Sequence, residues 1–361
     1  MKQILILSNH HAYTYNFRKE VIQSLLNEGH KVCIVAPYGE KIELLKEMGC
    51  EYLELSLDRR GINLKNDIQL MYGYHKIVRR MKPDVILSYT IKPNIYGGIV
   101  SRVHKIPFIP NVTGLGSAAS SNKLISKLVL FLYRLAFKKS SHVFFQNKEN
   151  RDFFLNNGFK LNYEVLPGSG VNLNEYVPAP YPIESNTYDI LYVGRVMKEK
   201  GVNELLSAAK ILENRAVPVQ FRLAGFLDDG FDISNLSEHK NVELLGARDD
   251  VPSLIEKAHA IILPSYHEGM SNALLEAAAS GRPLLASDIA GCREIIDDNK
   301  NGFLFEAKSA NSIVDKVEAF ISTSYAEKVR MGSASRNKVE EEFDRSIIVK
   351  AYLNKITEVT Q

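Results

Sequence analysis

"AIILPSYHEGMSNALLEAAASGRPLLAS", residues 260–287, reads as strand, loop, helix and strand in turn. "AIILP" and "RPLLAS" are short apolar runs of strand type. "ALLEAAAS" is strong helix-forming sequence, closed by Gly281 and Pro283, and Ser271 and Asn272 are good residues to cap its start. Glu268 falls just before this helix and Glu276 inside it, eight residues on. A helix start exposes free N–H groups and carries partial positive charge, a natural seat for a phosphate. Taken alone, the stretch reads equally well as a buried amphipathic helix with a capping box.

The same alternation extends outward in both directions. Toward the N-terminus, "QILILS", "KVCIVAP", "EYLELS", "DVILS", "PFIPNVT" and "HVFFQN" are strands. Helices fall between them at "NFRKEVIQSLLNEG", "EKIELLKEMG", "LKNDIQLMYGYHKIVRRM", "NIYGGIVSRVH" and "KLISKLVLFLYRLAFKK". The pattern loosens at "VLPGSGVNLNEYVPAPYPIESNT", rich in Pro, Gly, Ser and Asn, then restarts at "YDILYVG". Strands separated by helices predict a parallel sheet covered on both faces. The expectation is α/β: an N-terminal domain over 1–175, a linker over 176–187 and a C-terminal domain over 188–342. A last helical stretch over 343–361 could cross back to the first domain. Ligands of such sheets bind beyond the carboxyl ends of the strands, so a cleft between the domains is the default site.

A chain of 361 residues suits two domains, and 45% apolar with 24% charged residues is ordinary for a globular protein. Cys33, Cys50 and Cys292 lack metal-type spacing and are too few for a disulfide framework, which predicts a reducing, cytoplasmic setting. "MKQILILSNHH" is too short in its apolar run for a signal peptide.

The net charge of +3 hides an asymmetry. Residues 1–180 hold 24 Lys and Arg against 14 Asp and Glu, whereas residues 181–361 hold 21 against 28. Between Arg59 and Lys139, 15 basic residues face only Asp67 and Asp84. Nucleic acid, an anionic membrane face or a phosphorylated acceptor could each supply the opposing charge. "NKLISKLVLFLYRLAFKKSSH" mixes Lys123, Lys127, Arg134, Lys138 and Lys139 with many apolar residues. Its apolar run is too short to span a bilayer, so it reads either as a helix on a membrane surface or as a core helix with a basic edge. The charge asymmetry favours peripheral contact with the inner membrane face. No aromatic RNA-binding motif or zinc motif supports a nucleic-acid partner.

No G-x-G-x-x-G follows the first strand, and no P-loop, G-x-S-x-G or H-E-x-x-H occurs. That counts against an ordinary dehydrogenase, a P-loop enzyme, a serine hydrolase and a zinc protease. His10 and His11 would point to opposite faces of a strand, and no metal is expected. "YVGRVMKEKG", residues 192–201, is more informative. A strand ends at Gly194, and Arg195 and Lys200 flank the loop before the next helix. Two cations beside a helix start suit a diphosphate.

Gly194-Arg195 with Lys200, then Glu268 and Glu276 in the spacing E-x7-E, resembles glycosyltransferase family 4, retaining enzymes of GT-B fold. "YNFRKEV", "TGLGS" at 113–117 and "GARDDVPSLIEKAHAIILPSYHEG" resemble the bacterial branch that extends lipid-linked sugars for capsule, O-antigen or N-glycan assembly. The resemblance implies two facing Rossmann-like domains, a nucleotide-sugar donor, most often UDP-linked, and a polyprenyl-diphosphate-linked saccharide acceptor. It implies that Arg195 and Lys200 grip the donor diphosphate, that Glu268 holds donor-sugar hydroxyls and that Glu276 takes the ribose hydroxyls. Gly194, Gly225, Gly246 and the backbone of Gly269, Met270, Ser271, Asn272 and Ala273 would complete the donor site. The leaving phosphate oxygen would take the acceptor's proton, so no separate base is required. Catalysis would rest on Arg195, Lys200 and Glu268.

Two departures from the family pattern lie on the acceptor side. A glycine-rich loop is replaced by "SNHHAYTYNFRKE", and Thr113 stands where some relatives carry a His or acidic residue before "GLG". His10, His11, Asn16, Arg18, Thr113 and Gly114 are the acceptor-side candidates, with Arg18 also readable as a structural ion-pair residue. Two rival functions remain open: a UDP-N-acetylglucosamine epimerase of similar fold, and a non-catalytic assembly partner.

Overall fold

The computed structural model describes residues 1–57, 63–115, 122–228, 230–232 and 239–361. Part of the "TGLGS" expectation, at Gly116 and Ser117, lies outside the described residues. The chain forms two compact units, Met1–Ser169 with Arg345–Gln361, and Gly170–Asp344. The divisions fall earlier than residue 175 and just after residue 342.

The first unit runs β1 (Gln3–Leu7), α1 (His11–Asn27), β2 (Lys31–Ala36), α2 (Lys41–Glu47), β3 (Glu51–Glu54), α3 (Leu64–Met81) and β4 (Val85–Tyr89). A π-helical turn at Pro93–Gly97 leads into α4 (Gly98–His104), then β5 (Phe108–Val112), α5 (Lys123–Phe137), β6 (Val143–Phe145), α6 (Lys148–Asn156) and β7 (Tyr163–Val165). The seven strands lie parallel in the order β3-β2-β1-β4-β5-β6-β7. Side chains alternate across the sheet. Leu5 and Leu7 join a core with Leu70, Tyr74 and Val78 of α3 and Val129, Leu130 and Tyr133 of α5. Ile4 and Ile6 face the other way, toward Val21, Ile22 and Leu25 of α1.

The second unit runs β8 (Tyr188–Val193), a 3-10 turn (Lys198–Lys200), α7 (Val202–Asn214), β9 (Val219–Ala224), β10 (Val242–Gly246) and α8 (Val251–Lys257). It continues with β11 (Ala260–Leu263), α9 (Asn272–Ala279), β12 (Leu284–Ser287), β13 (Gly302–Phe305), α10 (Ala310–Ser322) and α11 (Tyr325–Glu342). Its six strands are parallel in the order β10-β9-β8-β11-β12-β13. Both sheets therefore reverse strand order beside their first strand, as doubly wound folds do.

The last helix, α12 (Arg345–Val359), returns to the first unit. Its Ile348, Tyr352 and Ile356 enter the core beside α1, and Asn111 Nδ2 donates to Tyr352 Oη at 2.8 Å. The stretch read as a linker is strapped to the second unit near its start. Arg282 is fully buried and donates to Ala179 O and Pro180 O at 3.1 and 3.0 Å, and Arg336 donates to Tyr176 O at 2.8 Å.

Three local expectations differ. Helix α1 starts at His11 rather than Asn16, because His10 caps it: His10 Nδ1 accepts from Ala12 N–H at 3.1 Å. His10 and His11 therefore do not straddle a strand; their rings stack with centroids 4.6 Å apart. Helix α6 and strand β7 were not anticipated. They are short, and Asn147 starts α6 by accepting from Asn150 N–H at 2.7 Å. The capping box is absent from α9: Ser271 Oγ accepts from Leu274 N–H at 3.2 Å, but the third helical residue is that leucine, with no carboxylate to reach back.

Candidate active site

In the second unit the strand order reverses between β8 and β11, and the loops leaving their carboxyl ends carry the polar residues. Gly194, Gly225 and Gly246 step across the ends of β8, β9 and β10. Gly194 N–H donates to Ala224 O at 3.0 Å, and Gly225 N–H to Gly246 O at 2.8 Å. A Cβ on Gly225 would lie 1.7 Å from Gly194 O, so the two backbones pass at a distance only glycine permits. The result is a ledge without side chains at three adjacent strand ends.

Arg195 and Lys200 stand on the loop beyond this ledge. The Tyr192 hydroxyl, buried in β8, donates to Arg195 O at 2.6 Å and fixes the turn. The Arg195 guanidinium lies 3.8 Å from Asp228 Oδ1 and is 39% exposed. Lys200 Nζ sits 2.5 Å from Glu268 Oε1, with the two side chains 22% and 13% exposed. Ser265 Oγ donates to the same carboxylate oxygen at 2.7 Å. Burial raises the Tyr192 phenol's pKa, the Glu268 carboxylate adds to the rise, and Arg195 opposes it. Burial likewise pushes the Cys292 thiol well above its ordinary range, with Glu268 adding and Lys200 opposing.

The loop from Glu268 to Ser271 is braced from behind. Gly291 has φ +78°, and a Cβ there would lie 2.7 Å from Gly269 O. Ser271 N–H donates to Gly291 O at 3.1 Å. Met270 turns its side chain into the core, leaving only its backbone on the open side. Asn272 and Ala273 begin α9, and Glu276 is half-buried one turn along. Asn272 Oδ1 and Ser287 Oγ are buried without a hydrogen-bond partner among the described residues.

The acceptor-side candidates all lie in the first unit, at or near the carboxyl ends of β1 and β5. Tyr13 extends the His10–His11 stack, its ring 4.6 Å from that of His10. The His11 ring lies against Gly39, where a Cβ would meet it at 2.1 Å. Asn16 is exposed, and its carbonyl accepts from Arg345 at 3.1 Å. Arg18 is only 4% exposed, with its guanidinium 4.5 Å from the centroid of the Tyr89 ring. It acts as a buried stacking residue rather than through the ion pair considered from sequence. Thr113 and Gly114 are half-buried just after β5.

Sequence reasoning passed over Ser265, Asp228, Tyr192 and Ser287. A signal existed for two of them: "AIILPS" and "LLAS" each end an apolar strand on a serine. Among the described residues no group of three or more His, Cys, Asp or Glu could hold a metal ion, and no helix is long and apolar enough to cross a membrane.

A ledge without side chains, two cations and a carboxylate thus stand at the carboxyl ends of doubly wound strands. Residues 175–338 match the family described as Glycosyl transferases group 1, and residues 3–147 match Glycosyl transferase 4-like. The chain belongs to glycosyltransferase family 4, with the GT-B fold, and is a glycosyltransferase. It is 28% identical over 372 residues to the N,N'-diacetylbacillosaminyl-diphospho-undecaprenol alpha-1,3-N-acetylgalactosaminyltransferase of Campylobacter jejuni, covering 97% of each chain. It is 24% identical to the capsular polysaccharide biosynthesis glycosyltransferase CapM of Staphylococcus aureus, over 91% of this chain and 90% of that one. In three dimensions it resembles Anabaena HepE in complex with UDP, with a TM-score of 0.81, 18% identity and coverage of 99% and 100%.

Proposed function

We propose that this chain is a retaining transferase that moves a sugar, an N-acetylhexosamine by its relatives, from a UDP-linked donor to a polyprenyl-diphosphate-linked saccharide. The observation that carries the reading is the Lys200–Glu268 pair beside the glycine ledge and the start of α9. Its support from similarity is the match along 97% of the Campylobacter jejuni transferase.

In this reading the donor diphosphate lies at the α9 start and over the ledge, where backbone N–H groups and Lys200 face it. The phosphates compete with Glu268 for Lys200, and the freed carboxylate accepts hydrogen bonds from donor-sugar hydroxyls. Glu276 takes the ribose hydroxyl pair. The bond from the sugar's anomeric carbon to the phosphate oxygen breaks while the acceptor oxygen bonds to that carbon on the same face. The acceptor's proton passes to the leaving phosphate oxygen, and UDP departs. Arg195 and Lys200 stabilise the charge that grows on the diphosphate, commonly the largest catalytic contribution at such sites. His10, His11, Thr113 and Gly114 are the acceptor contacts. The basic face of the first unit holds the enzyme peripherally at an anionic cytoplasmic membrane surface, where a lipid-linked acceptor resides, with no nucleic-acid partner.

A thermal-shift panel of UDP, GDP, ADP and the corresponding sugars tests donor choice. A ligand of the folded state raises the melting temperature by mass action, and UDP is expected to give the largest shift among the diphosphates. NMR of UDP-N-acetylglucosamine incubated alone separates the transferase from an epimerase: a second UDP-sugar accumulating without acceptor would overturn the reading.

A further inference from the structure

Lys200 and Glu268 stand on loops that leave two neighbouring strands, β8 and β11, and lead to different helices, α7 and α9. Lys200 comes seven residues after the end of β8 at Val193, and Glu268 five after the end of β11 at Leu263. The sheet by itself therefore does not fix their separation. Contacts between the loops do. Gly201 has φ +70°, and a Cβ there would lie 1.9 Å from Pro264 O, so the loops pass at a distance that a side chain would forbid. Tyr266 N–H donates to Glu199 O at 3.0 Å, which joins the residue before Lys200 to the one two before Glu268. The Tyr266 hydroxyl then reaches α7, where it donates to Glu204 Oε1 at 2.7 Å.

Stability alone does not select this last contact. Glu204 is half-buried, and its other oxygen, Oε2, is buried without a hydrogen-bond partner among the described residues. A buried carboxylate oxygen left unsatisfied is costly. The first turn of α7 offsets part of that cost, because a helix start favours negative charge. What the carboxylate does there is hold one phenol. Burial pushes the pKa of the half-buried Tyr266 up to about 12, with the hydrogen bond and charge of Glu204 adding to the rise, so the hydroxyl remains a donor at neutral pH. Lys308, on the loop after β13, sets its Nζ 4.9 Å from the Tyr266 ring centroid. The ring thus has a contact of its own that does not involve the hydroxyl.

We propose that Tyr266 and Glu204 are positioning residues that strap the Lys200 turn to the Glu268 loop and keep Lys200 beside the start of α9 when the donor diphosphate draws it from Glu268. The proposal rests on the donor-side reading of Lys200 and Glu268 given above. In that reading the ion pair, itself a tie between the two loops, opens as the phosphates arrive. The contacts of Tyr266 and Gly201 involve neither of its charges, so they persist and hold the loops together. A cation already in place loses less freedom when the ligand binds, which raises affinity.

The test is calorimetric titration of the full chain with UDP. Tyr266→Phe keeps the ring and its lysine contact, removes the hydroxyl, and is expected to weaken UDP about tenfold. Glu204→Leu removes the acceptor and is expected to match it. Glu204→Gln keeps a side-chain carbonyl for the hydroxyl and should stay within about twofold of the parent. If Glu204→Leu fails to fold, Tyr266→Phe and Glu204→Gln carry the comparison. Coupling is the sharper measurement. In a Lys200→Ala background Tyr266→Phe should cost less than about twofold, because the strap acts through Lys200. UDP affinity of Tyr266→Phe equal to the parent's overturns the proposal. An equal loss in both backgrounds does so too, since a general loosening of the fold would not depend on Lys200. Glu204→Gln binding as poorly as Tyr266→Phe would also overturn it, because the charge rather than the hydrogen bond would then be at work. If Lys200→Ala alone binds UDP like the parent, the donor-side reading falls and takes the strap with it. If Lys200→Ala binds weakly while Tyr266→Phe is unchanged, the strap alone falls.

Discussion

Lys200 and Glu268 meet at 2.5 Å with little of either side chain exposed, whereas Arg195 approaches Asp228 only to 3.8 Å and is 39% exposed. Two cations proposed for the same task therefore differ in structural weight. Lys200→Ala strands a partly buried carboxylate and should cost about 1–3 kcal/mol of stability. Arg195→Ala opens an exposed pair and should cost under about 0.5 kcal/mol. Both should lower kcat/KM by about 10²–10³-fold, by analogy with removal of an oxyanion donor. Denaturant melts and steady-state kinetics check this, and unchanged turnover in both variants would remove the diphosphate site. Gly225→Ala is a separate test of the ledge. Its added methyl would sit 1.7 Å from Gly194 O, so the strand ends must part. UDP affinity is expected to fall at least about tenfold, about 1.4 kcal/mol, and a UDP titration by calorimetry reads it directly.

At the scale of elements, the strand after α5 carries a pH dependence. His142 just precedes β6, is 3% exposed and has its ring centroid 4.9 Å from that of Phe144. Burial pushes its pKa down to about 4; Lys355 of α12 adds to the fall and Glu358 opposes it. Glu164 of β7 stands 4.0 Å away. Between about pH 6.5 and pH 4 the unfolded chain binds this proton and the folded chain does not, so stability falls with falling pH across that window. The loss approaches about 3 kcal/mol at the acid end and is absent above about pH 6.5. Urea melts at pH 7 and pH 5 should show a smaller difference for His142→Phe than for the parent; equal differences would contradict the assignment. Elements also separate what patterning can and cannot reveal. Helix α3 was expected over residues 64–81 and forms there, because its apolar residues recur at helical spacing and Asn63 caps it. The start of α1 depended on one imidazole nitrogen acting as a cap, a contact that hydrophobic periodicity does not encode.

On the scale of the whole molecule, the basic stretch and the proposed donor-side residues fall in different units. The basic stretch belongs to the first unit, whereas Arg195, Lys200, Glu268 and Glu276 all lie in the second. Changing Lys123, Lys127, Lys138 and Lys139 together to Gln should weaken flotation on anionic vesicles and leave UDP binding intact. Each such lysine contributes about 1 kcal/mol near an anionic surface. Activity on a long-chain lipid acceptor should fall more than activity on a water-soluble analogue; a matched loss on both would point to a damaged fold. Turnover should also survive excess EDTA if, as proposed, Arg195 and Lys200 neutralise the diphosphate in place of a divalent ion. Full loss restored by Mn²⁺ or Mg²⁺ would show a metal site.

The sequence by itself determined the class of fold and marked the residues proposed for the donor side. Buried parallel strands must be continuous apolar runs, helices between them must show helical spacing, and "GRVMKEK" and E-x7-E are local enough to survive as motifs. Only the tertiary structure decided which groups face each other. That Lys200 is held by Glu268 and Ser265, that Gly225 passes against Gly194, and that Arg18 is stacked beneath the surface on Tyr89 all depend on residues far apart in the chain. Nor could patterning separate the outward ridge of α3 from its inward one, since both repeat every three to four residues. Packing against the sheet chose the side carrying Leu70, Tyr74 and Val78, and left Leu64, Ile68 and Tyr72 outside.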